Sequence, residues 1–161
     1  ETGKFTRLLV KQKSATGDLF RKTSGKGTAA PTAHIQKFLQ DEIAKTPKTK
    51  DILFLGGPRL KPEAQLLKKI LAEKKQDYMV FYVSLPDKEV YKRSYGRKAA
   101  LFKMFDEDNI IKKRIAWHKD QVSKTVAYFD SLGKLTKING NQSIEKVQLD
   151  ILRAIKKHLE K

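Results

Sequence analysis

Three short apolar runs stand apart from a chain whose other hydrophobic residues recur at helical spacing. The first is Ile52-Leu53-Phe54-Leu55, reaching residue 56. The second runs from Tyr78 to Leu85, nearly continuous through Met79, Val80, Phe81, Tyr82 and Val83, and the third is Leu135 to Ile138, closed by Asn139-Gly140-Asn141. Runs of this length predict strands, and the second reads as one covered on both faces. The intervening segments predict helices. Pro62 suits a first turn ahead of Leu66, Leu67, Ile70 and Leu71, and Asp106 is placed to cap a helix carrying Ile110, Ile111, Arg114, Ile115 and His118. Ser143 precedes Ile144, Val147, Ile151, Ile155 and Leu159, a stripe expected to lie on the sheet. Strands alternating with helices predict an α/β fold with a parallel sheet.

Ahead of residue 50 the pattern is helical but interrupted. Thr6 to Val10 begins one helix and Asp18 to Arg21 a second; Gly25, Gly27 and Pro31 break the pattern before a third from about Thr32 to Ala44. No strand is predicted there. Three strands make a small doubly wound sheet, so the first strand or strands are expected to be missing from this chain or contributed by something the sequence does not show.

Composition narrows the class. The 161 residues suit one domain, and 39% hydrophobic with 33% charged residues is a globular balance. No run approaches the roughly 18 apolar residues of a membrane span, and no signal-peptide core opens the chain, so a cytoplasmic or organelle-interior protein is expected. Without cysteine there is no disulfide or thiolate metal site, and His34, His118 and His158 lack metal-ligand spacing. Trp117, beside Ile115, reads as a packing residue. The net charge of +17 attracts polyanions, with Lys11, Lys13, Arg21, Lys22 and Lys26 the densest early set. No aromatic RNA-binding signature accompanies them.

Gly57-Pro58-Arg59 adds specific chemistry, because it follows the first apolar run directly. Ligands of open α/β sheets collect at the carboxyl ends of strands, and a guanidinium there can hold a phosphate or carboxylate bidentately.

Taken in order, Thr2-Gly3-Lys4-Phe5-Thr6-Arg7, Gly57-Pro58-Arg59, Arg93 with Arg97, the helix ending Lys112-Lys113-Arg114, and Ile138-Asn139-Gly140 before a last helix resemble the adenylate kinase family of nucleoside monophosphate kinases. The order covers essentially the whole chain. The resemblance implies a P-loop kinase-like three-layer fold around a parallel sheet. It divides one domain into nucleoside monophosphate-binding helices over about 1–50, a core over 51–97 and 107–161, and a short lid over 98–106. It also implies that Thr2, Gly3, Arg7, Gly57, Arg59 and Glu63 hold a nucleoside monophosphate, that Arg93, Arg97 and Gly140 face the phosphoryl donor, and that Arg114 and Arg97 assist transfer. Mg²⁺ would arrive with ATP, and the lid carries no zinc ligands.

Several positions depart from the family pattern. Lys4 stands where the TGD-x-x-R motif has Asp, and Lys103 where a lid arginine is expected. Thr16-Gly17-Asp18-Leu19-Phe20-Arg21 matches the motif more literally, but only Thr2 leaves room before Arg59 for two helices, with Gly17 and Gly27 at turns. Ser24-Gly25-Lys26-Gly27-Thr28 ends like a phosphate-binding loop yet lacks the preceding strand and glycines, so it reads as a turn. The family's loop would fall before Glu1. Leu55 replaces the aspartate of the DG-x-PR motif, and leucine neither accepts a hydrogen bond nor coordinates Mg²⁺. Glu63 stands near a base-reading glutamine position, with Gln65 close by. The expectation is phosphoryl transfer from ATP to a nucleoside monophosphate, impaired or incomplete in this chain. The competing expectation is a catalytically inactive kinase-like module that binds RNA, a ribosome or another polyanion.

Overall fold

The computed structural model describes residues 1–26, 28–96 and 108–160. Two helices open it, α1 (Thr2–Lys11) and α2 (Ala15–Lys22), followed by a 3₁₀ turn (Ser24–Lys26), α3 (Thr32–Lys45) and α4 (Lys61–Glu73). Strand β1 (Val80–Ser84) leads into α5 (Asp87–Gly96). The rest comprises α6 (Asp108–Trp117), a π-helical turn (His118–Val122), α7 (Ser123–Ser131), β2 (Leu135–Asn139) and α8 (Ile144–Leu159).

β1 and β2 pair in parallel, with Val80 opposite Leu135 and Ser84 opposite Asn139. This is an α/β fold with a parallel sheet, of two strands among the described residues, consistent with the expected P-loop kinase-like fold. Gly140 prolongs the ladder, its amide donating to the Ser84 carbonyl at 2.8 Å. A Cβ on Gly140 would stand 2.7 Å from that same oxygen, so only glycine lets the two chains meet there.

The first apolar run departs from expectation. Residues 51–55 form no ladder, although exposure alternates along them as in a strand, Ile52 and Phe54 being half-covered while Leu53 and Leu55 are 75% and 52% exposed. Their spacing encodes an extended segment, but among the described residues no second strand runs beside it. The main-chain link that holds this run passes instead from Thr2 N–H to the Leu55 carbonyl, at 3.1 Å. β1 differs in a related way: its residues are half-buried rather than covered on both faces, and Val83 is 44% exposed.

A two-stranded sheet alone is marginal in water, and helices supply most of the buried apolar surface. Phe20, Leu39, Ile111 and Phe129 are fully buried, each removal from water being worth about 1.5–3 kcal/mol. α3 presents Ile35, Leu39 and Ile43 at helical spacing, and α4 answers with Ala64 and Leu67. Phe5 of α1 stacks on Phe38 of α3 with centroids 4.5 Å apart and meets Phe20 edge-on, tying the first three helices together.

Local signals set most helix ends. Ser143 caps α8 by accepting from the Lys146 amide, and its stripe reaches β2, although Ile144 and Leu159 at its ends remain exposed. The helix expected over Ile110 to His118 ends at Trp117, and a π turn joins it to α7, which periodicity had not marked. Gly17 sits inside α2 rather than at a turn. A Cβ on it would stand 2.0 Å from the Gln12 carbonyl oxygen, so glycine is required by the close approach of α2 to the end of α1. Gly27, Arg97, Lys103, Asp106 and the segment 98–106 expected to form a lid lie outside the described residues.

Candidate anion-binding site

The start of α1 docks on the turn that follows the first apolar run. Besides the Thr2 to Leu55 hydrogen bond, Thr2 presses against Gly57, where a Cβ would lie 2.9 Å from Thr2 Oγ1. Thr2 is 5% exposed, and its hydroxyl has no hydrogen-bond partner. A buried hydroxyl without a partner costs about 1–3 kcal/mol, so the seam between Thr2 and Gly57 is polar and unsatisfied.

A guanidinium group lies beside each of the residues next to this seam, Gly3 and Gly56. Arg7 folds back along α1, donating from Nη2 to Glu1 Oε1 at 3.0 Å and bringing Nη1 to 3.1 Å from where a Gly3 Cβ would be. Arg59 folds over Gly56, donating from Nε to its carbonyl at 2.8 Å and leaving Nη2 3.4 Å from the Gly56 Cβ direction. Gly56 has φ of +77°, a conformation that favours glycine. Arg7 thus folds toward the amino end of α1, where the helix dipole also favours an anion, and Arg59 lies on the turn against which Thr2 packs.

Glu63 supports Arg59 from within. It is 2% exposed, and its Oε2 accepts from the amides of Arg59 at 2.8 Å and Leu60 at 3.1 Å. Burial raises its pKa above the ordinary carboxylate value, while the two amides and the Arg59 charge pull the other way. At the third position of α4 this carboxylate makes half of a capping box; Leu60, as N-cap, cannot make the other half. The geometry thus puts Glu63 to work on the loop's main chain.

His118, in the π turn, stacks on Tyr82 of β1 with centroids 5.8 Å apart. Burial first and the Arg59 charge second lower its pKa, against a smaller opposing pull from Asp87. Arg59 is exposed by surface area, yet partial desolvation by the surrounding protein lowers its pKa while Glu63 opposes. It stays charged, because arginine is not deprotonated in proteins.

Of the residues expected on the donor side, Arg93 and Gly140 meet at the carboxyl ends of the strands. Arg93 donates from Nη2 to the Gly140 carbonyl at 3.1 Å and from Nε to Glu89 at 2.8 Å. Arg114 lies in the last turn of α6, half-buried. The competing Arg21 is occupied elsewhere: it donates to the carbonyls of Val10 and Gln12 and to Asp18, sewing α2 to the end of α1. The Ser24–Lys26 turn follows a helix, with no strand before it among the described residues.

Residues fit for a protein-held Mg²⁺ are not gathered here. Leu55 carries no donor atom, and among the described residues no three His, Asp or Glu side chains cluster in a way that could hold a metal. Nor is any described helix long and apolar enough to cross a membrane. Two contributors were not visible in the sequence. His118, in the π turn, feels the Arg59 charge and Thr125, in α7, donates to the Arg59 carbonyl, and neither carries a local motif.

No family model matches the chain. It is similar to the adenylate kinase of Phocaeicola vulgatus, 26% identical over 157 residues, which span 97% of this chain and 83% of that protein. The adenylate kinase of Chlamydia pneumoniae is 24% identical, covering 97% and 84% respectively. That of Bacteroides fragilis is 28% identical over 155 residues, covering 96% and 82%. Likeness over nearly the whole chain, on an α/β fold with a parallel sheet, makes this protein adenylate kinase-like.

Proposed function

We propose that the chain binds a nucleoside monophosphate by its phosphate at the Thr2–Gly57 seam and transfers to it the terminal phosphoryl group of ATP, at an impaired rate. The observation that carries this reading is a buried, unpartnered Thr2 hydroxyl against Gly57, with the Arg7 guanidinium folded beside Gly3 and the Arg59 guanidinium folded beside Gly56, the neighbours of those two residues in the chain. A phosphate accepts from both forks and from Thr2, and the amino end of α1 adds its dipole. On this reading α1 to α3 form the monophosphate-binding part, with the core in 51–97 and 107–161 and a short lid in 98–106.

In the transfer an oxygen of the monophosphate attacks the γ-phosphorus of ATP, the bond to the β-γ bridging oxygen breaks, and ADP leaves with a nucleoside diphosphate as the second product. Such transfer depends on positioning and charge neutralisation. Arg7 and Arg59 hold the acceptor. Arg93 with Gly140, at the carboxyl ends of β1 and β2, faces the donor, and Arg97 and Arg114 supply positive charge to the moving group. Leu55 contributes nothing to a metal or its water, which accounts for the impairment. No step is routed through a protein-held ion.

ADP formation from ATP and AMP by the purified, folded protein tests this reading. Slow turnover that depends on Arg114 and Arg59 supports it. Absence of turnover above background together with salt-sensitive RNA binding would instead favour a kinase-like polyanion-binding module, for which the charge of +17 is the supporting feature.

A further inference from the structure

Thr125 lies in α7, far in sequence from the Gly57–Arg59 turn, yet its side chain reaches that turn. Its hydroxyl donates to the Arg59 carbonyl at 2.8 Å, and the residue is 3% exposed. Serine and threonine hydroxyls in helices ordinarily return to their own helix. Thr46 and Ser123 do so, donating to the carbonyls of Glu42 and Lys119. Thr125 is directed across to the loop instead. A π turn, His118–Val122, stands immediately before α7, the kind of irregularity found inside helices at functional positions.

The Arg59–Leu60 peptide is consequently held at both ends. Its carbonyl accepts from Thr125, and its N–H, on Leu60, donates to Glu63 Oε2 at 3.1 Å. The Arg59 amide donates to the same carboxylate oxygen at 2.8 Å. Two helices, α4 and α7, therefore grip one peptide from opposite sides, and the guanidinium that departs from it has a fixed base. A flexible loop would give Arg59 many orientations and a higher entropic cost of meeting a ligand.

We propose that Thr125 is a positioning residue for Arg59, acting through the Arg59–Leu60 peptide; its consequence for ligand binding rests on the reading of Arg59 as a phosphate ligand given above. Thr125→Val removes the donor at nearly constant shape, and Thr125→Ser keeps it. Two readouts separate the claims: amide hydrogen exchange at Arg59 and Leu60, and AMP affinity by calorimetry. Thr125→Val is expected to speed exchange at those two amides and weaken AMP binding, each about five- to tenfold, the size of one net hydrogen bond, while exchange at Leu39 and Phe129 is unchanged. Thr125→Ser is expected to restore both. Thr125→Ala, read the same way, serves if the valine variant does not fold. Unchanged exchange at Arg59 and Leu60, or no restoration by serine, overturns the positioning role. Faster exchange in a protein whose AMP binding is indifferent to Arg59→Ala upholds the positioning role and removes the phosphate reading instead.

Discussion

Thr2 and Gly57 meet so closely that a Cβ on Gly57 would stand 2.9 Å from the threonine hydroxyl oxygen. This contact joins the amino end of the first helix to the turn that carries Arg59. Gly57→Ala is therefore expected to destabilise the fold by about 1–3 kcal/mol, the usual range for overpacking. In a Thr2→Ala background the obstructing hydroxyl is gone, so the same change should cost less, with a coupling of about 0.5–3 kcal/mol. Urea unfolding of the four proteins in the cycle measures it.

The Thr2 hydroxyl itself stabilises little in the free protein, since it is buried without a partner. Thr2→Val keeps the shape and removes the unsatisfied group. Its melting temperature should equal or exceed that of the parent, while AMP binding weakens. Stability and affinity moving in opposite directions would separate a ligand-facing hydroxyl from a packing residue.

Glu63 is predicted to matter for its acceptor atom more than for its charge. Glu63→Ala leaves the Arg59 and Leu60 amides without a partner and should cost about 1–3 kcal/mol. Glu63→Gln keeps a carbonyl acceptor and should cost far less at neutral pH. Because the folded-state pKa is raised, this group favours the folded state below its unfolded value near 4.5 and loses that contribution as pH rises through the folded value. The glutamine variant should lack this fall, as chemical denaturation at several pH values will report.

His118 titrates with the opposite consequence. Its folded-state pKa is lowered, so its contribution to stability is complete above about 6.5 and is lost as pH falls from there through the lower folded value. His118→Phe preserves the ring stack on Tyr82 and should flatten the parent's loss of stability below pH 6.5. A parent-like pH profile in that variant would show that another group is responsible.

Much of this architecture was legible in the chain. The helical stripe after Ser143, the proline near the start of α4, and the runs that became β1 and β2 are local signals, and local signals survive folding when nothing opposes them. The run at 52–56 shows the opposite case. Its alternation is strand-like, but a strand is defined by a partner, and among the described residues none lies alongside. On the site, Gly57-Pro58-Arg59 and the Thr2 to Arg7 segment were visible as motifs, spacing alone favoured Thr2 over the competing Thr16 to Arg21 match, and the Arg21 guanidinium lies on the carbonyls of Val10 and Gln12. The supports of Arg59 were hidden. Glu63 looked like a base-reading position, although its oxygen serves two backbone amides. His118 and Thr125 lie in and just after the π turn, a feature for which hydrophobic periodicity carries no mark.

The central claim, that Arg7 and Arg59 together form a phosphate site beside Thr2, is tested most directly by calorimetric titration with AMP and with adenosine, on the parent, Arg7→Ala and Arg59→Ala proteins, each shown to be folded. The account predicts that the parent binds AMP much more tightly than adenosine, and that either substitution removes most of that difference, a loss of about 1.5–3 kcal/mol for hydrogen bonds to a charged group. Equal binding of AMP and adenosine by the parent, or an undiminished preference for AMP in both variants, would contradict it.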